Sequence, residues 1–196
     1  MPSQALAIFD DARGRWGPLT ETRPIFEQRC GALTLRRRIE QRRGRRADAL
    51  AVPGRLEALT AHREPGAVVN AELPGASGPW HLVNGRWPAV GGVEAVRELE
   101  PGQGIAQADG QLVAARLSAA QASRALTSAG AGLADGLDIV ETWDPVLIDR
   151  PWHVLNALPD ALASDLHAAP LPEAGADATP GVTRIGDHPV QLGEGA

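Results

Sequence analysis

The chain has 196 residues and a formal net charge of -5, from 19 basic against 24 acidic side chains, and every one of its cations is arginine; the sequence holds no lysine and no tyrosine. That excludes a Schiff-base or pyridoxal lysine, a Walker-type phosphate lysine and a tyrosine general acid, and the single cysteine, Cys30, excludes a disulfide framework and a multi-thiolate zinc site. Apolar runs fall far short of the roughly 18 residues needed to span a bilayer, and the N-terminus lacks a basic-then-apolar leader, so a cytoplasmic protein without membrane partners is expected.

Ala5 to Phe9 is a short apolar run halted by Asp10-Asp11, which predicts a buried strand ending in a turn. A loop with Gly14, Gly17 and Pro18 follows. Leu33, Leu35 and Ile39 recur at helical spacing among arginines, so a helix is expected from about Gly31 to Arg43, with Gly44 as its stop. A second helix is predicted near Gly54 to His62, strands at Val68-Val69 and His81-Leu82-Val83, and a short helix over Val93 to Leu99. Gly104 to Ala108 and Gln111 to Leu117 flank Asp109-Gly110, a dipeptide that supplies the positive backbone angles of a tight hairpin turn. Ser118 is placed to cap a helix reaching about Ser128, and Leu137 to Thr142 reads as a strand.

Pro151 opens a last helix, where its missing N–H costs little, with Asp149 as a capping candidate. Trp152, Leu155, Leu162 and Leu166 share one face of it and are expected to be buried. Three segments result: a domain over residues 1–167, an Ala-, Pro- and Gly-rich linker over 168–182, and residues 183–196. In the last, Ile185-Gly186 and Leu192-Gly193 repeat an aliphatic-glycine pair, like the first hexapeptide turns of a left-handed parallel β-helix, truncated or missing beyond. Alternating strands and helices predict an α/β fold with a mostly parallel, Rossmann-like sheet and helices on both faces. Function in such a fold sits beyond the strand C-termini, here the loop from Asp10 to Arg23.

That loop runs Phe9-Asp10-Asp11-Ala12-Arg13-Gly14-Arg15-Trp16-Gly17-Pro18-Leu19-Thr20-Glu21-Thr22-Arg23-Pro24. It resembles the opening of the sugar-phosphate nucleotidyltransferases: Arg15 falls on their motif arginine, Pro18-Leu19-Thr20 on their PLT and Arg23-Pro24 on their Lys-Pro. The likeness is to a divergent branch related to the bifunctional N-acetylglucosamine-1-phosphate uridylyltransferase. Leu82-Val83-Asn84-Gly85-Arg86-Trp87 and Pro151-Trp152 agree with that branch, as does a hexapeptide domain after the linker. The resemblance implies transfer of a nucleotidyl group from a nucleoside triphosphate to a sugar 1-phosphate, with Mg²⁺ as cofactor.

It also implies site residues. Arg15 and Arg23 would be catalytic; Arg13, Thr20, Asn84 and Arg86 would bind substrate phosphates; Asp10 and Asp11 would hold the metal. This chain departs from the pattern in three places: acids and Arg13 stand at the loop glycines, Arg23 at the lysine, and Arg86 where the strand of other members ends in a metal-binding aspartate. The plainer reading of the same residues has the acids capping a turn and the arginines in surface ion pairs. It leads to the alternative of an inactive domain that binds a nucleotide or serves as a structural module of a hexapeptide acyltransferase.

Residues 1–46 hold 11 arginines and 5 acids, a balance of +6, and the remaining 150 hold 8 and 19, a balance of -11. An acidic body of that kind repels nucleic acid, so none is expected as a partner. The run Arg36-Arg37-Arg38, Arg42-Arg43 and Arg45-Arg46 reads accordingly as a solvated helix face that complements the helix dipole. His62, His81, His153, His167 and His188 lack metal-ligand spacing; His81 reads as a packed strand residue and His188 as a surface one. Cys30 reads as inert, and Trp80, Trp87, Trp143 and Trp152 as core anchors. A homotrimer is expected only if a β-helix follows.

Overall fold

The computed structural model describes residues 5–72, 78–127, 136–144, 146–168 and 186. Its strands are β1 (Ala5–Phe9), β2 (Arg29–Cys30), β3 (Leu33–Thr34), β4 (Ala49–Ala51), β5 (Val68–Val69), β6 (Trp80–Asn84), β7 (Gln103–Gln107), β8 (Leu112–Leu117) and β9 (Asp138–Trp143). Its helices are α1 (Leu35–Arg43), α2 (Glu57–Arg63), α3 (Val93–Glu98), α4 (Ala119–Thr127) and α5 (His153–Ala168). Seven strands form one sheet in the order β5-β4-β1-β6-β8-β7-β9, and β2 and β3 make a separate hairpin. β1 runs parallel to β4 and β6, β4 to β5, and β7 to β9, while β8 is antiparallel to both neighbours. The expected mostly parallel sheet is present. The linker from residue 169 on, and the hexapeptide turns apart from Gly186, lie outside the described residues.

The sheet's two faces follow from the pleat. In β1, Leu6 and Ile8 enter one core with Ile39 of α1 and Val96 of α3, whereas Ala7 and Phe9 enter another with Ala122, Ala125 and Leu126 of α4. Helices therefore cover both faces. The hairpin at Asp109-Gly110 forms as expected, with Gly110 at φ +80° and its N–H donating to Gln107 O at 2.8 Å. Ser118 and Gln121 exchange bonds in a capping box at the start of α4: Ser118 N donates to Gln121 Oε1 at 2.9 Å, and Gln121 N donates to Ser118 Oγ at 3.3 Å. β4 carries no expectation from sequence, since three inward residues between two turns give no period to read.

Three expectations are corrected. α1 starts at Leu35, not near Gly31, because Gly31, at φ +85°, turns β2 into β3, and Thr34 Oγ1 accepts the Arg37 N–H at 3.2 Å as the helix cap. The arginines of α1 are no solvated face: Arg36 and Arg38 are buried. Arg36 pairs with Glu27 and Glu64, each at 2.5 Å, and with Glu40 at 3.3 Å. Burial works against its charge, but the Glu64 bond and the three carboxylates more than offset this and hold its pKa above the ordinary value.

The third correction concerns α5, whose large apolar residues face water; Leu155 is 67 % and Trp152 57 % exposed. Asp165 and Ala161 point inward instead. Asp165 accepts from Arg38 Nε at 2.7 Å and Nη2 at 2.8 Å, and from the backbone N–H groups of Ala32 at 2.9 Å and Leu33 at 3.2 Å. A leucine turned inward would leave Arg38 charged and unpaired in the interior, a cost no aliphatic contact repays. Trp152 is thus not a core anchor, whereas Trp80 and Trp87 are, and Trp143 packs against Trp87 with centroids 5.8 Å apart. No described helix is long and apolar enough to cross a membrane.

Candidate functional site

Between β1 and β6 the chain reverses its direction of progress across the sheet, having run out through β4 to β5 and returned to the other side of β1. Loops leaving the C-terminal ends of strands at such a point diverge and open a crevice. Here a cavity of about 840 Å³ opens there, lined by Arg13 and Arg15 of the loop after β1, Arg86 after β6, Gln107, Asp109 and Gln111 of the β7–β8 hairpin, and Asp149, His153 and Asn156 around the start of α5. Pro88, Val90 and residues 146–148 supply apolar wall.

The loop after β1 is held at both ends. Asp10 is buried; its Oδ1 accepts the Ala12 N–H and its Oδ2 the Ile25 N–H, each at 2.9 Å, tying the loop's start to its end. Burial raises the Asp10 pKa, a shift that these two N–H bonds oppose. Trp16 sinks into a small core with Ile25, Cys30, Leu35, Ile148 and Ala161, against which Ala157 of α5 also packs. That anchor sets the position of Arg15 beside it, whose N–H donates to Asp149 O at 2.8 Å. The guanidiniums of Arg13 and Arg15 are exposed and have no partner among the described residues.

Arg86 is the opposite case. Its side chain is 1 % exposed yet lines the cavity. Nε donates to Asp11 Oδ1 at 3.0 Å and Nη2 to Asp11 Oδ2 at 2.6 Å, a bidentate pair; Nη2 also meets Gln111 Oε1, and Nη1 stands 3.7 Å from Asp149 Oδ1. Asn84 completes the frame: its Nδ2 donates to Asp11 Oδ2 at 3.1 Å and to Leu112 O at 3.0 Å, and its Oδ1 accepts the Arg86 N–H at 3.0 Å. Gly85 between them must lack a side chain, since a Cβ there would fall 2.7 Å from Phe26 Cβ and 3.1 Å from Phe9 O.

Of the residues singled out from sequence, the structure brings Arg13, Arg15, Arg86, Asp11 and Asn84 together. Arg23 lies apart, in a second pocket of about 390 Å³ with Thr34, Thr60 and Arg63. Thr20 does not line the cavity; its carbonyl accepts from Arg55 Nη2 at 3.2 Å. Gln107, Gln111, Asn156 and His153 carried no sequence signal for the site. Asp109 and Asp149 did carry one, as a turn residue and a cap, but not as lining. Gln107 fixes the far wall, its Oε1 accepting the N–H groups of Val146 and Leu147, each at 2.7 Å. His153 Nδ1 accepts the Asp149 N–H at 3.3 Å, which leaves Nε2 as the protonated nitrogen.

The Mg²⁺ implied by the resemblance needs free carboxylate oxygens. Both oxygens of Asp10 are taken by backbone N–H groups, and Asp11 spends both on Arg86, Asn84 and the Arg13 N–H. Asp109 accepts from Gln107 and Gln111, bonds that outweigh its slight burial and lower its pKa. Among the described residues no group of three or more His, Cys, Asp or Glu stands ready for a metal. The donor set does not fit a resident divalent cation.

A parallel-dominated sheet whose switch-point crevice is lined by guanidiniums defines an α/β protein with a site receptive to anions. The model of the sugar nucleotidyl transferase family matches residues 6–170, and the chain belongs to that family. A comparison with curated proteins finds no match.

Proposed function

We propose that the chain transfers a nucleotidyl group from a nucleoside triphosphate to a sugar 1-phosphate in the cavity between the loops after β1 and β6. The observation that carries this reading is that two guanidiniums without a partner among the described residues, Arg13 and Arg15, and a buried third one, Arg86, line one cavity of nucleotide size. An oxygen of the sugar phosphate attacks the α-phosphorus; that P–O bond forms as the bond to the bridging oxygen of the β-phosphate breaks, and pyrophosphate leaves with the electron pair. The attacking oxygen is already anionic near neutral pH, so no general base is required, and the protein's task is positioning and charge neutralisation. Arg13 and Arg15 bind the phosphates, while Asn156, His153 Nε2–H and the apolar wall from Val146 to Ile148 are placed to hold base or sugar. The likeness to the branch related to N-acetylglucosamine-1-phosphate uridylyltransferase supports a uridine nucleotide as the first donor to try.

A second reading, a nucleotide-binding or structural module without transfer activity, is favoured by the position of Arg23 outside the cavity. Pyrophosphate release from UTP, dTTP and ATP against a panel of sugar 1-phosphates separates the two. Release abolished by Arg15→Ala supports transfer; nucleotide binding without release under every pairing supports the module.

A further inference from the structure

The cavity contains a charge arrangement unlike that of a metal-dependent phosphate site. One buried cation, the Arg86 guanidinium, is ringed by oxygens: two from Asp11, one from Gln111 and one from Asp149. This is the environment a hard metal ion would demand, filled by a side chain. We infer that Arg86 is the resident cation of this site and that the cavity takes the phosphates of its ligand without a divalent metal. The inference rests on the phosphate-ligand reading above.

Three observations support it. First, the carboxylate next to the buried cation has no coordination left to offer, because Asp11 accepts four hydrogen bonds, as many as its two oxygens hold. Second, the part-exposed Asp149 lies between the guanidiniums of Arg86 and Arg150 at 3.7 and 3.6 Å, so a dication drawn to it would sit against two like charges. Third, Arg86 Nη1 has no described hydrogen-bond acceptor within bonding distance, the nearest being Asp149 at 3.7 Å, so it keeps its donors for a phosphate oxygen. The two-pronged edge of the guanidinium is spent on Asp11, which fixes Nη1 and its two N–H groups in place before the ligand arrives. Arg13 and Arg15 then close on the remaining oxygens from the exposed side.

The test is calorimetry of the full chain with UTP, ATP, dTTP and pyrophosphate, in EDTA and then at stepped Mg²⁺. The expected result is binding in EDTA, with a dissociation constant that millimolar Mg²⁺ leaves unchanged or raises, since the metal competes for the free ligand. Binding that appears or tightens tenfold or more only with Mg²⁺ would overturn the inference and leave the phosphate-ligand reading standing. Absence of heat in both conditions would overturn that reading and the inference with it. Asp11→Asn sharpens the result: the amide oxygen keeps two of the four bonds and the amide nitrogen gives up the others, so a thermal melt first establishes that the variant is folded. If Asp11 were a metal ligand the variant would lose affinity; with Arg86 as the cation, removing the opposing charge tightens binding severalfold in EDTA.

Discussion

Two sets of arginines, 21 residues of sequence apart at their nearest, have opposite fates. Arg36 and Arg38 of α1 are buried and bound on every side by carboxylates and carbonyls, while Arg13 and Arg15 of the loop after β1 are exposed and unpartnered. The residue type is the same; the supply of acceptors differs. α1 packs where Glu27, Glu64 and Asp165 converge from three other segments of the chain and carries Glu40 itself, so its cations are used up in holding those segments together. The loop after β1 spends its own acids, Asp10 and Asp11, on backbone N–H groups and on Arg86, and so leaves its arginines free for a ligand. A count of arginines therefore says little about binding, and a count of unspent ones says much.

This contrast is most severely tested at Arg38. Arg38→Ala strands Asp165 in the interior, and urea denaturation should show a loss of about 3–5 kcal/mol. A loss below 1 kcal/mol would mean that the pair is solvated and the contrast false. His81 tests the same interior by pH. Among the described residues neither of its buried ring nitrogens has a hydrogen-bond partner, and burial together with the charges of Arg43 and Arg116 lowers its pKa to about 4. The native ring is neutral, whereas the unfolded one takes a proton near its usual 6.5, so stability should fall as pH drops from about 6.5 towards 4, by up to about 3 kcal/mol. His81→Leu should flatten that slope, and an unchanged slope would assign the acid sensitivity elsewhere.

Smaller effects belong to the exposed set. Arg15→Ala should weaken nucleotide binding by roughly tenfold in calorimetry while its denaturation midpoint stays that of the wild type; an equal loss in both would make Arg15 a structural residue. Least of all is expected at the outer face of α5, where Leu155→Ser should alter stability by about 0.5 kcal/mol or less. A large drop would show that this face is covered in the folded protein.

Much of the sheet was legible because its strands obey local rules. Phe9 precedes two acids that stop β1, Gly110 can adopt the positive φ its hairpin needs, and Ser118 caps α4 with its own side chain. β4 escaped notice because three residues carry no periodicity. The stripe on α5 misled because helical spacing of Leu155, Leu162 and Leu166 indicates a shared face without saying which face turns inward. At the site, Arg13, Arg15 and Arg86 were legible from the likeness to known motifs. Gln107, Gln111, His153 and Asn156 were not, since they reach the cavity from segments far apart in the chain and none bears a motif.

By itself, then, the sequence determined the alternation of strands and helices, the turn that ends β1 and the absence of any lysine to serve phosphate. These depend on backbone preference and composition, which act over a few residues. Only the tertiary structure decided that Arg86 meets Asp11 across 75 positions, that Asp165 rather than leucine faces the core, and that Arg23 leaves the cavity. Ion pairing in an interior is chosen by which charges the packed chain brings within reach and which it can afford to desolvate, and neither is written in neighbouring residues.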